Sequence, residues 1–447
     1  MKIFKGLSRA QNRIFLIMTG GMFLEYFDFF LYIHLAPLVV DSYFLPSANN
    51  TLTIYLLTIA SIVFIRLLGV AIGGYIGDIY GRKPTMIISI VLTGLCCIGF
   101  AIVPSYESIG ILAVIALMLF RSLQSAASIS EISCAITYMT EIITIPYNFF
   151  MAALMNAIGF LGVFFALLLA SLVMKTYPEG WKILFFISGM LAFISFYFRR
   201  KLPESKYYEN DIKYFTTGER RAAYFKMVRE TLLSKPPFVQ LAIEMGSIAF
   251  FYLVYIHCSV LLKNTYCLSN TSIIYNNATV AFIECCFSLI LAFLTLKYHP
   301  LKIIKYRFIL GCILIVVAPL CLNNIDSPLG VFAFQCVAII FSIGILPAQS
   351  IIIILYSIYC RVTIRGLVYS VSKLSFTAIG GLILFIGQYS TNNIAWTVIA
   401  LISACFFYWA LQYLIKKHQH NYKTEDYRKA MKEACKWNLE VFHHAQK

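Results

Sequence analysis

Apolar runs of about twenty residues alternate with short clusters of Gly, Pro and charged residues along most of this chain. A helix of roughly 20 residues, rising about 1.5 Å per residue, crosses the hydrocarbon core of a bilayer. Twelve runs qualify, near 14–40, 52–77, 85–103, 108–130, 149–174, 182–199, 238–262, 274–296, 306–323, 329–357, 366–388 and 393–415. One long polar connection, from Arg199 through Lys235, follows the sixth run. The pattern predicts an all-α integral membrane protein of 12 transmembrane helices in two six-helix bundles. These occupy residues 1–200 and 237–416, with a linker over 201–236 and a tail over 417–447 that is expected to form a surface helix.

Composition agrees with that picture. Of the 447 residues, 60% are hydrophobic and 13% charged, against about half and a quarter in an average soluble domain. The net charge of +16 does not read as nucleic-acid binding, because Lys and Arg collect in particular loops, the orientation signal of membrane proteins. They crowd the N-terminus (Lys2, Lys5, Arg9, Arg13), the segments Arg199 to Lys235 and Lys297 to Arg307, and the tail from Lys416. Intervening loops carry few, chiefly Lys175, Lys182 and Lys263. The alternation places both termini in the cytoplasm and the protein in the cell membrane. The first apolar run extends past any signal-peptide core and lacks a small-residue cleavage site, so no cleavable leader is expected. The 13 cysteines show no C-x-x-C pairing. Most, such as Cys96, Cys97, Cys134, Cys285 and Cys286, lie in apolar runs and read as small packing residues, with no metal expected.

Each charge within a span costs several kcal/mol unless it is paired or faces a wet cavity. The first half has four: Glu25 and Asp28 in span 1, Arg66 in span 2 and Arg121 in span 4. Taking Asp78 and Glu131 as the ends of spans 2 and 4, Arg66 and Arg121 lie about 18 and 15 Å deep. Glu25 and Asp28 fall at a similar height if span 1 starts near Phe15, so the four should form one cluster. The two acids share a helix face, where each hinders ionisation of the other while a nearby guanidinium favours it. That competition is what a reversible proton carrier needs; a static cluster that fixes helix packing is the bland alternative. The second half is thinner in charge, with Glu244, Glu284 and Lys373, and adds the polar candidates Tyr252, Tyr255, Gln349 and Tyr369. His34 and His257 read as solvated residues near the outer ends of spans 1 and 7. Gly69, Gly73 and Gly77 line one face of span 2, and Ala153, Ala157, Gly162 and Ala166 line span 5. Such faces permit close helix packing in lipid.

Between spans 2 and 3 stands Gly74-Tyr75-Ile76-Gly77-Asp78-Ile79-Tyr80-Gly81-Arg82-Lys83. This G-x-x-x-D-x-x-G-R-K spacing resembles the loop between helices 2 and 3 of the major facilitator superfamily. Other segments resemble one branch of it, the metabolite:proton symporters, which include proline/betaine, α-ketoglutarate, citrate and shikimate transporters. Glu25-Tyr26-Phe27-Asp28-Phe29 is similar to that branch's E-W-F-D-F, and Phe64 to Gly69 to its F-x-x-R-P-x-G. Arg121-Ser122-Leu123-Gln124 matches R-x-x-Q, Glu131 falls at its G-G-E-Y, and Arg199 to Ser205 resembles the border of its sixth helix. The likeness covers most of the first half in order. It is weak in the second half, where Leu296 to Lys302 keeps basic charge but loses the Gly-x-x-x-Asp pattern.

The resemblance implies a major facilitator fold and alternating access. It implies a latch of Gly74, Asp78, Gly81, Arg82, Lys83, Glu131 and Gly366, with Asp78 at the positive end of helix 11 near Gly366 and Arg82 paired with Glu131. Proton coupling is assigned to Glu25, Asp28 and Arg121. Substrate binding is assigned to Arg66, Arg121, Gln124, Tyr255, Gln349 and Lys373, between the halves near the membrane midplane. The expected partners are a small carboxylate-bearing solute, a proton as coupling ion and the lipid bilayer, with no other cofactor, and the chain is expected to be a monomer. A non-transporting receptor or sensor on the same fold is the alternative. An enzyme is not expected, since no Ser/His pair, metal-ligand helix or phosphate loop is present.

Overall fold

A computed structural model describes residues 9–43, 51–143, 147–177, 180–205, 208–210, 216–344, 346–387 and 394–418. The helix expected in the tail lies outside the described residues. The first six long helices are α1 (Arg9–Tyr43), α2 (Thr51–Ile79), α3 (Arg82–Ile102), α4 (Ile111–Ile142), α5 (Tyr147–Thr176) and α6 (Trp181–Arg199). After a charged linker helix at Thr217–Leu232 come α7 (Lys235–Asn264), α8 (Asn270–Leu294), α9 (Pro300–Asn323), α10 (Pro328–Ile340), α11 (Arg361–Gly387) and α12 (Ile394–Lys417). Among the described residues, α1 and α3 to α9 contain segments long and apolar enough to cross a membrane.

The usual arrangement of a water-soluble core is reversed. In α4, Arg121, Gln124, Ser130, Glu131, Thr137 and Glu141 are buried, while Ile111, Leu112, Ile115 and Leu119 are exposed. Lipid replaces water around such a helix, so its polar side chains must find partners inside the protein. α2 packs against α4 and α11, α5 against α1 and α8, and α7 against α12. Gly69 and Gly73 meet Ala126 and Ser130 of α4, whereas Gly77 faces Thr85 and Val362, so the glycine stripe is shared among three helices.

Two boundaries and one internal turn differ from expectation. α4 continues three turns past residue 130 because the small polar residues there face the interior and sustain the helix. α7 contains a π-helical turn at Tyr252–His257, a local widening often found at functional sites. The run 329–357 is not one helix: α10 stops at Ile340 and a short helix resumes only at Gln349–Ile354. Pro347 has no N–H for a helical ladder. Arg307 of α9 engages the non-helical stretch, donating to the Ser342 hydroxyl at 2.8 Å and the Leu346 carbonyl at 3.1 Å. The expected basic cluster at 297–307 therefore ends inside the bundle.

Candidate functional site

The turn between α2 and α3 depends on Gly81, whose φ of 120° is strained for any L side chain. One turn earlier, Asp78 reaches across to the start of α11. The N–H groups of Val362 and Thr363 donate to its two oxygens at 3.1 and 3.0 Å, and the Thr363 hydroxyl donates at 2.8 Å. Free N–H groups and the helix dipole make a helix start a natural seat for an acid. The expected contact near Gly366 thus falls one turn earlier, and Gly366 packs on Val70 and Ser133 instead. Gly74 permits the approach itself. A Cβ there would stand 2.6 Å from the Thr363 Cα. Overpacking costs about 1–3 kcal/mol, so Gly74→Val is expected to lower the melting temperature of purified protein by several degrees. An unchanged melting curve would mean that α2 and α11 stand farther apart.

The pairing expected between Arg82 and Glu131 is not formed. Arg82 instead forks onto Glu141, with Nε and Nη2 donating to its two oxygens at 3.2 and 3.0 Å. It also donates to the carbonyls of Gly77 and Ile358 at 2.9 and 3.0 Å and lies 3.7 Å from Asp78. Glu141 gathers Arg361 at 3.2 Å and the Ser205 hydroxyl at 2.5 Å as well. The extra turns of α4 explain the exchange: Glu141 stands beside Arg82, and Glu131 lies about 15 Å farther up the helix. Lys83 contributes its backbone N–H, which with that of Arg82 donates to Glu204 at 3.1 and 3.0 Å and caps α3. Burial pushes the Glu204 carboxyl above its ordinary range, against the pull of these N–H groups. From the linker helix, Tyr224 reaches Thr363 at 3.1 Å; burial pushes its hydroxyl up to about 12, so it stays neutral there.

Deeper in the bundle, Asp28 and Arg121 come together at 3.8 Å, as expected. Asp28 also accepts from the Gln124 amide, from Cys97 at 3.3 Å and from the Ser188 hydroxyl at 3.4 Å. Arg121 donates to Gln124 at 3.0 Å and covers the Tyr32 ring at 3.7 Å. Cys97 is thus a polar partner and not only packing. Glu25 does not form an ion pair with either arginine; it accepts from the Ser128 hydroxyl. Arg66 has a buried Nε without a hydrogen-bond partner in the described structure, within electrostatic reach of Glu25, Arg121 and Tyr369.

Measured from the observed helix ends, Asp28 and Arg121 lie about 28 and 31 Å deep, while Glu25 and Arg66 lie about 24 and 20 Å deep. The expected single level is therefore spread over about 12 Å, with Asp28 and Arg121 the deeper pair. Glu131 belongs to the shallower group and pairs with Arg199 at 2.6 Å, a close charge contact and not an aligned hydrogen bond. The Arg199 guanidinium occupies the space that a side chain at Gly21 would fill.

The second-half candidates are less concentrated. Gln349 accepts from Asn156 at 3.3 Å, and Asn156 accepts from the Tyr26 hydroxyl at 3.3 Å, linking α1 and α5 to the short helix after α10. Tyr255 donates to Glu284 at 2.7 Å. Lys373 lies over the Tyr369 ring at 5.1 Å, and with Arg365 it is in electrostatic reach of Glu244. Glu141, Arg199, Arg361, Asn156 and Ser128 were not anticipated. Glu141 was legible in principle, because Glu131, Tyr138 and Glu141 continue one helical face. Arg199 and Arg361 read as loop charges, and nothing in their neighbours marks them as buried.

The arrangement is a charged cluster joining α2, α4 and α11 at one end, buried acids and bases at mid-depth, and polar links between the first and last six helices. The sequence profile of the Major Facilitator Superfamily matches residues 18–385. The chain belongs to that superfamily. Curated relatives within it include a putative proline/betaine transporter of Staphylococcus haemolyticus, 29% identical over 49% of this chain and 48% of that protein. The α-ketoglutarate permease of Escherichia coli is 30% identical over 45% of this chain and 49% of its own length. The inner membrane metabolite transport protein YhjE of the same organism is also 30% identical, over 46% and 48%. The chain spans about half the length of the curated relatives it matches. The fold is shared more widely. The proton:xylose symporter XylE superposes with a TM-score of 0.71 at 14% identity, covering 91% of this chain and 95% of that one. The human organic anion transporter MFSD10 gives 0.66 at 13% identity over 91% and 100%. These superfamily matches are carriers and not enzymes, and the fold embeds the chain in a membrane.

Proposed function

We propose that this major facilitator protein carries a small carboxylate-bearing solute together with a proton, by alternating access. The observation that carries the reading is the Asp28–Arg121–Gln124 cluster, in which a buried acid is matched by one arginine and three neutral donors. A solute carboxylate competing for Arg121 would leave Asp28 to bind a proton, since a buried unpaired carboxylate is costly. Arg66, with its unmet Nε, supplies a second anion contact, and Gln349 and Lys373 complete the site from the other half. Glu25 shares the coupling role. The bonds of Asp78, Arg82, Glu141 and Arg361 close the latch side while the solute exchanges at the far side. Relatives named for proline/betaine and for α-ketoglutarate support the class, because all three molecules bear a carboxylate. The protein acts as a monomer in the cell membrane.

Labelled proline, betaine and α-ketoglutarate offered to proteoliposomes test this reading. Accumulation of at least one when an imposed proton gradient is present, and not without it, is expected. Binding without accumulation of any would favour a receptor on this fold.

The basic-loop alternation puts the latch side and both termini in the cytoplasm. Gly218 in the linker helix is exposed, with open space around a Cβ, so Gly218→Cys is expected to fold normally. In a background without native cysteines, an impermeant maleimide should label it only after cells are opened. Labelling in intact cells would invert the topology.

A further inference from the structure

At the end opposite the latch, α1 and α8 are joined by a hydrogen bond whose direction is fixed from both sides. His34 Nδ1 lies 3.1 Å from the Phe30 carbonyl, which can only accept, so Nδ1 carries a proton. In the neutral ring Nε2 is then an acceptor, and it lies 3.3 Å from the Asn277 amide nitrogen. The orientation of Asn277 is set independently. Gln335 Nε2 donates to the Val254 carbonyl at 2.7 Å and to Asn277 Oδ1 at 3.4 Å, so the Asn277 oxygen must face Gln335. The other Asn277 amide proton goes to the Ser259 hydroxyl at 2.9 Å, which donates to the Tyr255 carbonyl at 2.7 Å. The chain is anchored on backbone carbonyls at both ends and cannot be reversed by flipping one amide.

His34 is therefore not the solvated interface residue its sequence position predicts, because α1 continues for more than two turns beyond it. Its ring stacks on Phe30 at 6.2 Å and meets the edge of Tyr255 at 6.3 Å. Asn277 and Gln335 are fully buried, and Val254 and Tyr255 belong to the π-helical turn of α7. In α7, Tyr255 meets the ring and His257 and Cys258 follow it along the helix; in α8, Tyr275 precedes Asn277, and Glu284 is held by the Tyr255 hydroxyl at 2.7 Å.

We propose that His34 is a proton-sensitive fastener of the far gate, whose protonation sets an Nε2–H against the Asn277 amide N–H and releases α1 from α8. Histidine is the side chain whose charge ordinarily changes between about pH 5 and 8. Two donors facing each other in a buried site forfeit the bond and leave both groups unsatisfied. An acidic far side would thus favour the open far gate. The link to gating rests on the alternating-access reading; the bond and its loss on protonation do not.

Spin labels at Glu107→Cys and Thr265→Cys, both exposed at the far end, report the gate by pulsed-dipolar distance measurement on the full chain in lipid nanodiscs, with native cysteines replaced and no solute present. Lowering the pH from about 8 to about 4, past the acid end of the usual histidine range, is expected to shift the parent's distance distribution to longer values, and a parent that stays short throughout would overturn the proposal. His34→Gln, whose Oε1 can accept from Asn277 but does not titrate, should keep the short distance at both pH values. Asn277→Leu should show the long distance at both. A His34→Gln protein that still lengthens like the parent, or an Asn277→Leu protein that stays short at high pH, would overturn the proposal. Either result leaves the carrier reading intact, and failure of the parent to move any solute would count against that reading alone.

Discussion

Asp78→Asn is expected to lower the initial rate of solute uptake by roughly 100-fold at matched expression. The carboxylate accepts two backbone N–H groups and a hydroxyl at the start of α11. An amide presents only one acceptor, so one of the N–H groups then faces another donor. Hydrogen bonds to a charged group contribute about 1.5–3 kcal/mol each, and loss of one leaves a buried donor unmet. A penalty of about 3 kcal/mol on the latched state changes its population by roughly 100-fold. Arg82→Ala should be at least as harmful, because it removes the fork onto Glu141 and the bonds to Gly77 and Ile358 in one step. Glu131→Gln should leave the latch intact, since Glu131 bonds to Arg199 and not to Arg82. Near-normal uptake by both Asp78→Asn and Arg82→Ala would reduce the segment to an orientation signal.

Asp28→Asn is expected to abolish gradient-driven accumulation while solute exchange across the membrane survives. An amide keeps the size of the acid and can still meet Gln124 and Ser188, but it cannot gain and lose a proton. It also leaves Arg121 without its anionic partner, which should raise the affinity for a carboxylate solute. Arg121→Lys is expected to reduce uptake by at least tenfold, because the ammonium cannot span Gln124 and Asp28 while covering Tyr32 as the planar guanidinium does. Counterflow of labelled solute compared with net uptake reads both variants. Undiminished accumulation in Asp28→Asn would remove Asp28 from the coupling site.

The all-α membrane fold, the buried contacts of Asp78 and Arg82 and the meeting of Asp28 with Arg121 were legible because each leaves a local signature. Those signatures are an apolar run of fixed length, a Gly and charge cluster between two runs, and lone charges within them. What failed was depth. The end of α4 could not be placed, because Ser, Ala and Thr beyond residue 130 look the same to a hydropathy window whether they continue a buried helix or begin a loop. An end near residue 130 agrees with the Glu131 pairing that the resemblance implies, and it leaves Glu141 in a loop. The break after α10 was missed because Phe341 to Ala348 is as apolar as a helix, and only Pro347 hints at it. Charges near span ends, such as Arg199, Arg307 and Arg361, read as surface residues, since the sequence does not say which way a side chain at a boundary points. His34 was misplaced for the same reason.

Joint movement of solute and proton through the buried acids of α1 can be read with a pH electrode in a lightly buffered suspension of de-energised cells. Adding the transported solute should make the medium more alkaline as protons enter with it, and this signal should vanish in Glu25→Gln and Asp28→Asn proteins that still exchange solute. Solute entry without alkalinisation, or an undiminished signal in both variants, would rule out proton coupling through these two acids.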